Sequence, residues 1–322
     1  EGNAENAANG PSQRPRQPRN MQGLLRFALE VTRAEDAPGP SEHGPMAEER
    51  RQFLEEALRG MTVNVREVLE KAIKELSNKD VIEKLKADED VPMEIMLSFN
   101  NVTEIIYDID IANDFGRLGG FTIFPICFAC EHNEVRRLAY NLLAELCQNN
   151  PGCQRYAVQE GLVEVLLRSV RTERGPVLCK VIYALAALIR NYLPAADLLF
   201  MKDGCEVLID ILQNRDNEER ALVKAMFLTK YIVEEHSNAR EELIQRGLIE
   251  VVLSFLGKEV RDCSEYALEI LLALVKDKDP VVMAKLGTPE AKGVIEDHKA
   301  LPELDKDWPE YNFCSQLLQV LG

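Results

Sequence analysis

Apolar residues in the middle of the chain recur at the spacing i, i+3, i+4, i+7, which marks the buried face of an amphipathic helix. The same face returns three times when the sequence is shifted by 43 residues at each step. The four sets are Val135, Leu138, Ala139, Leu142, Leu143 and Leu146; Leu178, Val181, Ile182, Leu185, Ala186 and Ile189; Ala221, Lys224, Ala225, Leu228, Thr229 and Ile232; and Ser264, Ala267, Leu268, Leu271, Leu272 and Val275. The pattern therefore predicts four equivalent long helices.

Each long helix is preceded by a glycine that opens another apolar segment. These glycines, Gly120, Gly161, Gly204 and Gly247, lie 41, 43 and 43 residues apart. A short helix is predicted ahead of the last three, with its start marked by proline or by a capping Asn or Ser at Asn150 with Pro151, Leu193 with Pro194, and Ser237 with Asn238. A three-helix unit with a period in the forties is typical of armadillo repeats. We expect an all-α protein, an armadillo-type α-solenoid with four central repeats over residues 110–280, because one unit cannot bury its apolar face alone.

The segments on either side of the repeats are also predicted to be helical. Residues 46–109 carry apolar residues at helical spacing, beginning with Phe53, Leu54, Ala57 and Leu58 and continuing over 63–76 and 92–109. Residues 281–322 include the only tryptophan, Trp308, and an apolar run at 313–321. We expect these segments to be N-terminal and C-terminal caps on the repeat stack.

Residues 1–45 have a different composition. They are rich in Asn, Ala, Pro and Arg, which predicts a disordered, flexible segment. Within them, residues 19–31 form a hydrophobic and basic island, and no acidic residue lies between Pro11 and Leu29. The island is either a docking peptide or a helix that packs back on the body.

Charge and composition argue against two classes of function, nucleic-acid binding and membrane association. The net charge of −16 argues against a general nucleic-acid binder, which needs a dense basic face. No apolar run reaches the roughly 18 residues of a membrane span, so we expect no membrane association. The eight cysteines form no disulfide-like framework and favour buried, reduced thiols in a cytoplasmic protein.

Candidate chemistry is sparse. Cys127 and Cys130 form a CxxC with His132 nearby, but no further ligand pair follows at a suitable spacing, so buried thiols are favoured over a metal site. The sequence holds no phosphate loop, no GxSxG and no HExxH, and its four histidines lie in separate segments. We expect no catalytic residue, no metal, no cofactor and no enzymatic activity.

Two positions in the third long helix break the apolar pattern. Lys224 and Thr229 occupy slots that are apolar in the other units. Burying a lysine is costly unless its ammonium reaches water or a partner. Either this helix is slightly rotated, or Lys224 faces a groove and meets an acidic partner.

Several stretches resemble a known family. They are RNMQGLLRFAL (19–29), PMAEERRQFLEEA (45–57), DIAND (110–114), EVRRLA (134–139), QNN (148–150), YALAALIRN (183–191) and VKAMFL (223–228). In order and spacing they resemble the Hsp-70-binding protein 1 family, the armadillo-type nucleotide exchange factors of the 70-kDa heat-shock chaperone. The resemblance implies a non-enzymatic monomer whose concave face grips one lobe of the chaperone's nucleotide-binding domain, opens its cleft and promotes release of ADP and client.

The resemblance also implies roles for particular residues. The N-terminal segment is expected to occupy the peptide-binding site of the chaperone, with Leu24, Leu25, Phe27 and Leu29 as anchors. On the concave face, the family's partner-contacting positions correspond to Ala112, Arg136, Asn150, Lys180, Arg190, Asn191 and Lys224. Ala112 would be the small residue of a turn that lies against the partner, and Lys224 a basic position on the groove. Arg190 could instead stabilise the helix dipole. The alternative function is a general armadillo scaffold without exchange activity.

Overall fold

The computed structural model describes residues 64–257 and 262–322, and within these ranges every regular element is helical. The N-terminal part contains α1 (Val65–Leu76), α2 (Lys79–Ile82) and α3 (Met93–Ile105). Helix α1 begins after Asn64, whose side chain accepts a hydrogen bond from the backbone N–H of Glu67, and its apolar face packs on α3. The helices expected over 63–76 and 92–109 are therefore present, and the second of these ends at Ile105.

Three-helix units follow in the predicted order. The first is α4 (Ile109–Arg117), a 3₁₀ turn (Gly120–Thr122) with α5 (Ile123–Phe128), and α6 (Asn133–Cys147). The next three are α7 (Pro151–Gln159), α8 (Leu162–Thr172) and α9 (Gly175–Ile189); α10 (Leu193–Met201), α11 (Gly204–Gln213) and α12 (Glu219–Glu235); and α13 (Ser237–Gln245), α14 (Leu248–Leu253) and α15 (Asp262–Val275). The C-terminal segment repeats this order as α16 (Pro280–Leu286), α17 (Pro289–Lys299) and α18 (Pro309–Leu321).

The third helices of the units pack on one another in sequence. Helix α3 packs on α6, and α6, α9, α12, α15 and α18 then form one continuous row. Almost all of the positions that periodicity placed in the core are buried; the half-buried exceptions are Leu138, Ala186, Lys224 and Leu272. The armadillo-type, all-α prediction is confirmed.

The repeat glycines serve two different purposes. Gly161 and Gly247 adopt left-handed backbone conformations, with φ of 68° and 90°. In the third unit Asp203 takes that conformation instead, and Gly204 lies so close to Leu199 that an added Cβ would be 2.5 Å from the Leu199 Cγ. Glycines that recur at the same repeat position therefore meet two separate requirements: a left-handed backbone at Gly161 and Gly247, and close packing at Gly204.

The predicted helix starts are only partly right. The Asn150 side chain accepts hydrogen bonds from the backbone N–H groups of Gly152 and Cys153, at 3.1 and 3.2 Å, and so caps α7 as expected. The predicted Ser237 cap is wrong: α13 already begins at Ser237, and no side-chain bond caps it. The chain passes directly from α12 into α13 through His236, which leaves Ser237 no capping position.

The CxxC segment joins the N-terminal helices to the first repeat. The Cys127 thiol donates to the Leu76 carbonyl (3.6 Å) and the Cys130 thiol to the Ile82 carbonyl (3.2 Å). The His132 ring accepts at Nδ1 from the Glu134 N–H and bonds the Glu89 carbonyl through Nε2. Burial raises the pKa of Cys127 to about 12. These two thiols therefore act as buried packing groups, and the other six cysteines are buried as well.

No helix in the described residues has the length and apolar character needed to cross a membrane.

Candidate functional site

The surface that carries most of the expected contact residues is formed by the row of third helices. We call this surface the third-helix face: the solvent-facing side of α6, α9, α12 and α15, with the turns that follow α6 and α9. A cavity of about 340 Å³ opens on it between α9 and α12. Its walls are mainly apolar and aromatic, and Arg190 and Lys224 contribute the cations. A concave, largely apolar cavity with a few charged groups is the usual form of a binding site.

Lys224 projects onto this face while the rest of α12 keeps its core packing. Thr229 and the other predicted core positions of α12 are fully or almost fully buried, and the Thr229 hydroxyl donates to the Ala225 carbonyl at 2.8 Å. The helix has therefore not rotated to bring Lys224 out. The Lys224 Nζ lies 5.1 Å from the centroid of the Tyr183 ring on α9, and Lys224 forms no ion pair within the described residues. Its ammonium is thus available at the cavity wall.

Arg190 and Asn191 lie at the end of α9. The Arg190 guanidinium stacks over two rings of α12, 4.9 Å from the Phe227 centroid and 5.5 Å from that of Tyr231. Asn191 adopts a left-handed conformation (φ 57°), and its N–H donates to the Tyr231 hydroxyl at 2.9 Å. This turn therefore fixes the position of a cation over the aromatic wall.

Lys180 is held beside the cavity by an internal hydrogen bond. Its Nζ donates to the Asn141 side chain at 2.7 Å and lies 5.6 Å from the Tyr183 centroid. Burial, together with the neighbouring charge of Lys224, lowers the pKa of Lys180. Two ammonium groups therefore lie near one tyrosine ring, and the one on Lys224 is the less engaged.

Ala112 and Asn150 lie at a second cavity, of about 320 Å³, on the N-terminal side of the first. Gln148 and Asn149 line both cavities, so the two are neighbours on one face. Ala112 is 2 % exposed, and its carbonyl accepts a hydrogen bond from the Cys153 thiol. Asn150 is also buried, since its side chain caps α7. Ala112 lies inside α4 and not in the turn that the resemblance implied, and it forms part of the cavity floor, where only a small side chain leaves the cavity open.

Arg136 is engaged inside the protein. Its guanidinium pairs with Glu173 at 2.7 Å and also donates to the carbonyls of Cys130 and Glu131 and to the Asn133 side chain. Only 16 % of the Arg136 side chain and 12 % of that of Glu173 are exposed. The Arg136 side chain thus ties α6 to Glu173, which lies between α8 and α9, and Arg136 is not among the residues that line the two cavities.

The aromatic residues of the site were not predicted from the sequence. Tyr183, Phe227, Tyr231 and Tyr266 line the cavity, and the first three are the rings over which the cations lie. Lys224, Phe227 and Tyr231 follow the spacing i, i+3, i+7, which forms a second stripe beside the core stripe of α12. That spacing was the signal that could have revealed them. The four predicted anchors of the N-terminal segment, Leu24, Leu25, Phe27 and Leu29, lie outside the described residues.

No set of three or more potential metal-ligating side chains comes together in the part of the chain that the structure describes. The arrangement offers rings, fixed cations and two adjoining cavities, which are means of binding a protein surface.

Solved structures show the same fold. A designed armadillo repeat protein matches with a TM-score of 0.61 at 13 % identity, over 79 % of this chain and all of its own. An armadillo-repeats-only protein from Plasmodium falciparum matches with a TM-score of 0.53 at 13 % identity, over 73 % of this chain and all of its own.

Sequence relatives cover most of the chain. Hsp70-binding protein 1 from Mus musculus is 27 % identical over 95 % of this chain and 87 % of its own length. The protein of that name from Homo sapiens is 28 % identical over 95 % and 86 %. The Hsp70 nucleotide exchange factor FES1 from Gibberella zeae is 30 % identical over 40 % of this chain and 60 % of its own length. With residues 111–251 matching the SIL1/FES1/HPBP1 C-terminal domain, the resemblance to the Hsp70-binding protein 1 family is confirmed.

Proposed function

We propose that this protein is a nucleotide exchange co-chaperone that binds the nucleotide-binding domain of a 70-kDa heat-shock chaperone through its third-helix face. The observation that carries the proposal is the match to Hsp70-binding protein 1 over 95 % of the chain, which includes the whole of that face. The name of the FES1 relative supports exchange as the activity. The protein acts as a monomer in the cytoplasm and uses no cofactor of its own.

Exchange on this proposal is a matter of binding, without covalent chemistry. A surface that binds the open form of the nucleotide-binding domain better than the closed form shifts the domain toward the open form. Because binding free energies are reciprocal, ADP is then held less tightly by the same factor. The rigid row of stacked helices suits this task, since it can hold one lobe while its bulk excludes the other.

The contact residues have distinct tasks. Lys224 and Arg190 present positive charge over aromatic walls and pair with carboxylates of the partner. Asn191 fixes the ring of Tyr231 through its backbone N–H, and Lys180, held by Asn141, places its ammonium beside the Tyr183 ring. Ala112 keeps the second cavity open so that the partner surface can approach. Asn150 and Arg136 support the face from beneath through the α7 cap and the Glu173 pair.

The N-terminal segment has a separate task. Leu24, Leu25, Phe27 and Leu29 occupy the peptide-binding site of the chaperone and prevent the released client from rebinding. Their apolar character with basic flanks supports this role. Deleting residues 1–45 should leave ADP release unchanged and slow client release only.

The test of exchange is stopped-flow release of fluorescent ADP from a cytosolic 70-kDa chaperone. We expect the full chain to accelerate release by about tenfold or more, within the range of typical coupling between sites. Ala112→Arg should abolish the acceleration because its side chain fills the second cavity, whereas Ala112→Ser should not. Binding without acceleration would instead support the scaffold function. Normal activity of Ala112→Arg would show that the proposed face is wrong.

A further inference from the structure

Tyr107 and Ile109 are large apolar residues with few internal contacts. They lie in the turn between α3 and α4 and at the first residue of α4, and they are 89 % and 53 % exposed. No other large hydrophobic residue in the described ranges is as exposed as Tyr107. Tyr107 buries little surface within the protein and leaves a large amphipathic ring exposed. Side chains of this kind often anchor protein interfaces.

The pair belongs to the same surface as the proposed contact residues. Tyr107 and Ile109 line the second cavity together with Ala112. Gln148 and Asn149 connect this cavity to the first one, and Glu145, on the same wall, accepts a hydrogen bond from the Tyr183 hydroxyl at 3.3 Å. The surface from Tyr107 to Lys224 is therefore continuous.

Charge changes sign along this surface. Around Tyr107 the exposed charges are acidic, namely Glu104, Asp108 and Asp110, and none of the three forms an ion pair within the described residues. Around the first cavity the cations Arg190, Lys180 and Lys224 outnumber the carboxylate of Glu145, which lies beside Tyr183. A partner that matches both ends must carry a basic and apolar region and an acidic region at the corresponding separation.

We propose that Tyr107 and Ile109 are a second anchor of the chaperone interface, which docks against a basic and apolar region of the nucleotide-binding domain and fixes its direction along the helix row. This inference rests on the proposed function. It adds the residues that decide orientation: with charge of opposite sign at the two ends, a partner docked in reverse would bring like charges together. Lys224 alone would give affinity without that selection.

The test compares two double variants of the full chain by calorimetric binding to the 70-kDa chaperone. Tyr107→Ser with Ile109→Ser removes the anchor, and we expect about tenfold weaker binding or more, as for a central interface residue. Leu193→Ser with Met201→Ser is the control, because these α10 residues are 65 % and 78 % exposed and line neither cavity. The control should bind within about twofold of the wild type. Both variants should keep the wild-type circular dichroism.

A charge variant tests the chemistry of the docking region. Glu104 lies in the last turn of α3, where a lysine interacts favourably with the helix dipole, so Glu104→Lys should fold at least as well as the wild type. If a basic region lies opposite, Glu104→Lys weakens binding by about threefold or more at low salt and less at high salt.

The outcomes separate the two levels of inference. If the Tyr107 and Ile109 variant binds as the wild type does while Lys224→Ala binds weakly, the second anchor is wrong and the proposed function stands. If Glu104→Lys binds more tightly, the docking region is not basic and the direction is wrong. If the wild-type protein does not bind the chaperone, the proposed function and this inference both fail.

Discussion

The ammonium of Lys224 and the ring of Tyr183 face each other across two adjacent third helices, with the Nζ 5.1 Å from the ring centroid. The Tyr183 hydroxyl donates to the Gln148 side chain at 2.8 Å, and burial, followed by the charge of Glu145, raises its pKa to about 12. The ring is therefore fixed and neutral. A cation over a neutral ring keeps its charge available to a partner, whereas a cation in an ion pair does not.

Lys224→Met should weaken chaperone binding without unfolding the protein. Methionine keeps the apolar stem against Tyr183 but removes the charge, so the loss reports on the carboxylate partner alone. We expect about tenfold weaker binding by calorimetry, the size of a typical interface contact. Lys71→Met is the matched control, because Lys71 is an exposed cation on α1. Equal affinities for the two variants would remove Lys224 from the interface.

Arg136→Met should destabilise the protein, because it leaves Glu173 buried without its partner. Removing one member of a largely buried ion pair typically costs about 3 kcal/mol of the free energy of unfolding, measured by urea denaturation. Replacing both members, with Arg136→Met and Glu173→Leu, should recover most of this loss.

Arg66→Met provides the comparison, since the Arg66–Glu70 pair is exposed and should contribute below about 0.5 kcal/mol. The affinity of the folded Arg136→Met protein for the chaperone also tests whether Arg136 contacts the partner, as the family resemblance implies. Wild-type affinity for the chaperone would limit Arg136 to a structural role, and a clear loss of affinity in the stable double variant would place it in the interface.

The fold was predictable because its signal is repeated. A core slot such as Leu142 recurs as Leu185, Leu228 and Leu271, so four helices support one inference. The site lacks this redundancy. Phe227 has no aromatic equivalent one period away, where Ala184 and Ile270 stand. Its importance depends on its position beside Arg190, at the end of α9 in the preceding unit. Contacts between helices of different units cannot be read from the pattern within one helix.

Gly161 and Gly204 recur in the same repeat pattern, but the pattern does not show why each must be glycine. Substituting each with asparagine and with alanine should distinguish the two reasons. Asparagine tolerates the left-handed conformation that Gly161 adopts, so Gly161→Asn should cost less stability than Gly161→Ala, which loses about 1–2 kcal/mol. At Gly204 the difficulty is space, because a Cβ would lie 2.7 Å from the Leu199 carbonyl oxygen.

Gly204→Asn should therefore be at least as damaging as Gly204→Ala, which we expect to cost about 1–3 kcal/mol. The measurement is the free energy of unfolding of the four variants in urea. The same order of asparagine and alanine at both positions would contradict the distinction.

Glu310 should make stability depend on pH near neutrality. This residue of the first turn of α18 is 5 % exposed, and its Oε2 is buried without a hydrogen-bond partner. Burial, followed by the charge of Glu265, raises its pKa from 4.5 to about 7. The folded protein therefore binds a proton more tightly than the unfolded chain does. Stability falls as the pH rises from about 4.5 to about 7, and the whole loss is present above pH 7.

Glu310→Gln should remove this pH dependence, because the amide carries no charge. At pH 8 we expect the variant to be more stable than the wild type by about 1–3 kcal/mol in urea denaturation, and at pH 4.5 the two should be nearly equal. Glu303→Gln, at an exposed position in the preceding turn, should match the wild type at both pH values. A difference of the same size at pH 4.5 and pH 8 would mean that the substituted amide stabilises by packing. The pKa of the Glu310 carboxyl would then be the same in the folded and the unfolded protein, with a neighbouring positive charge offsetting the effect of burial.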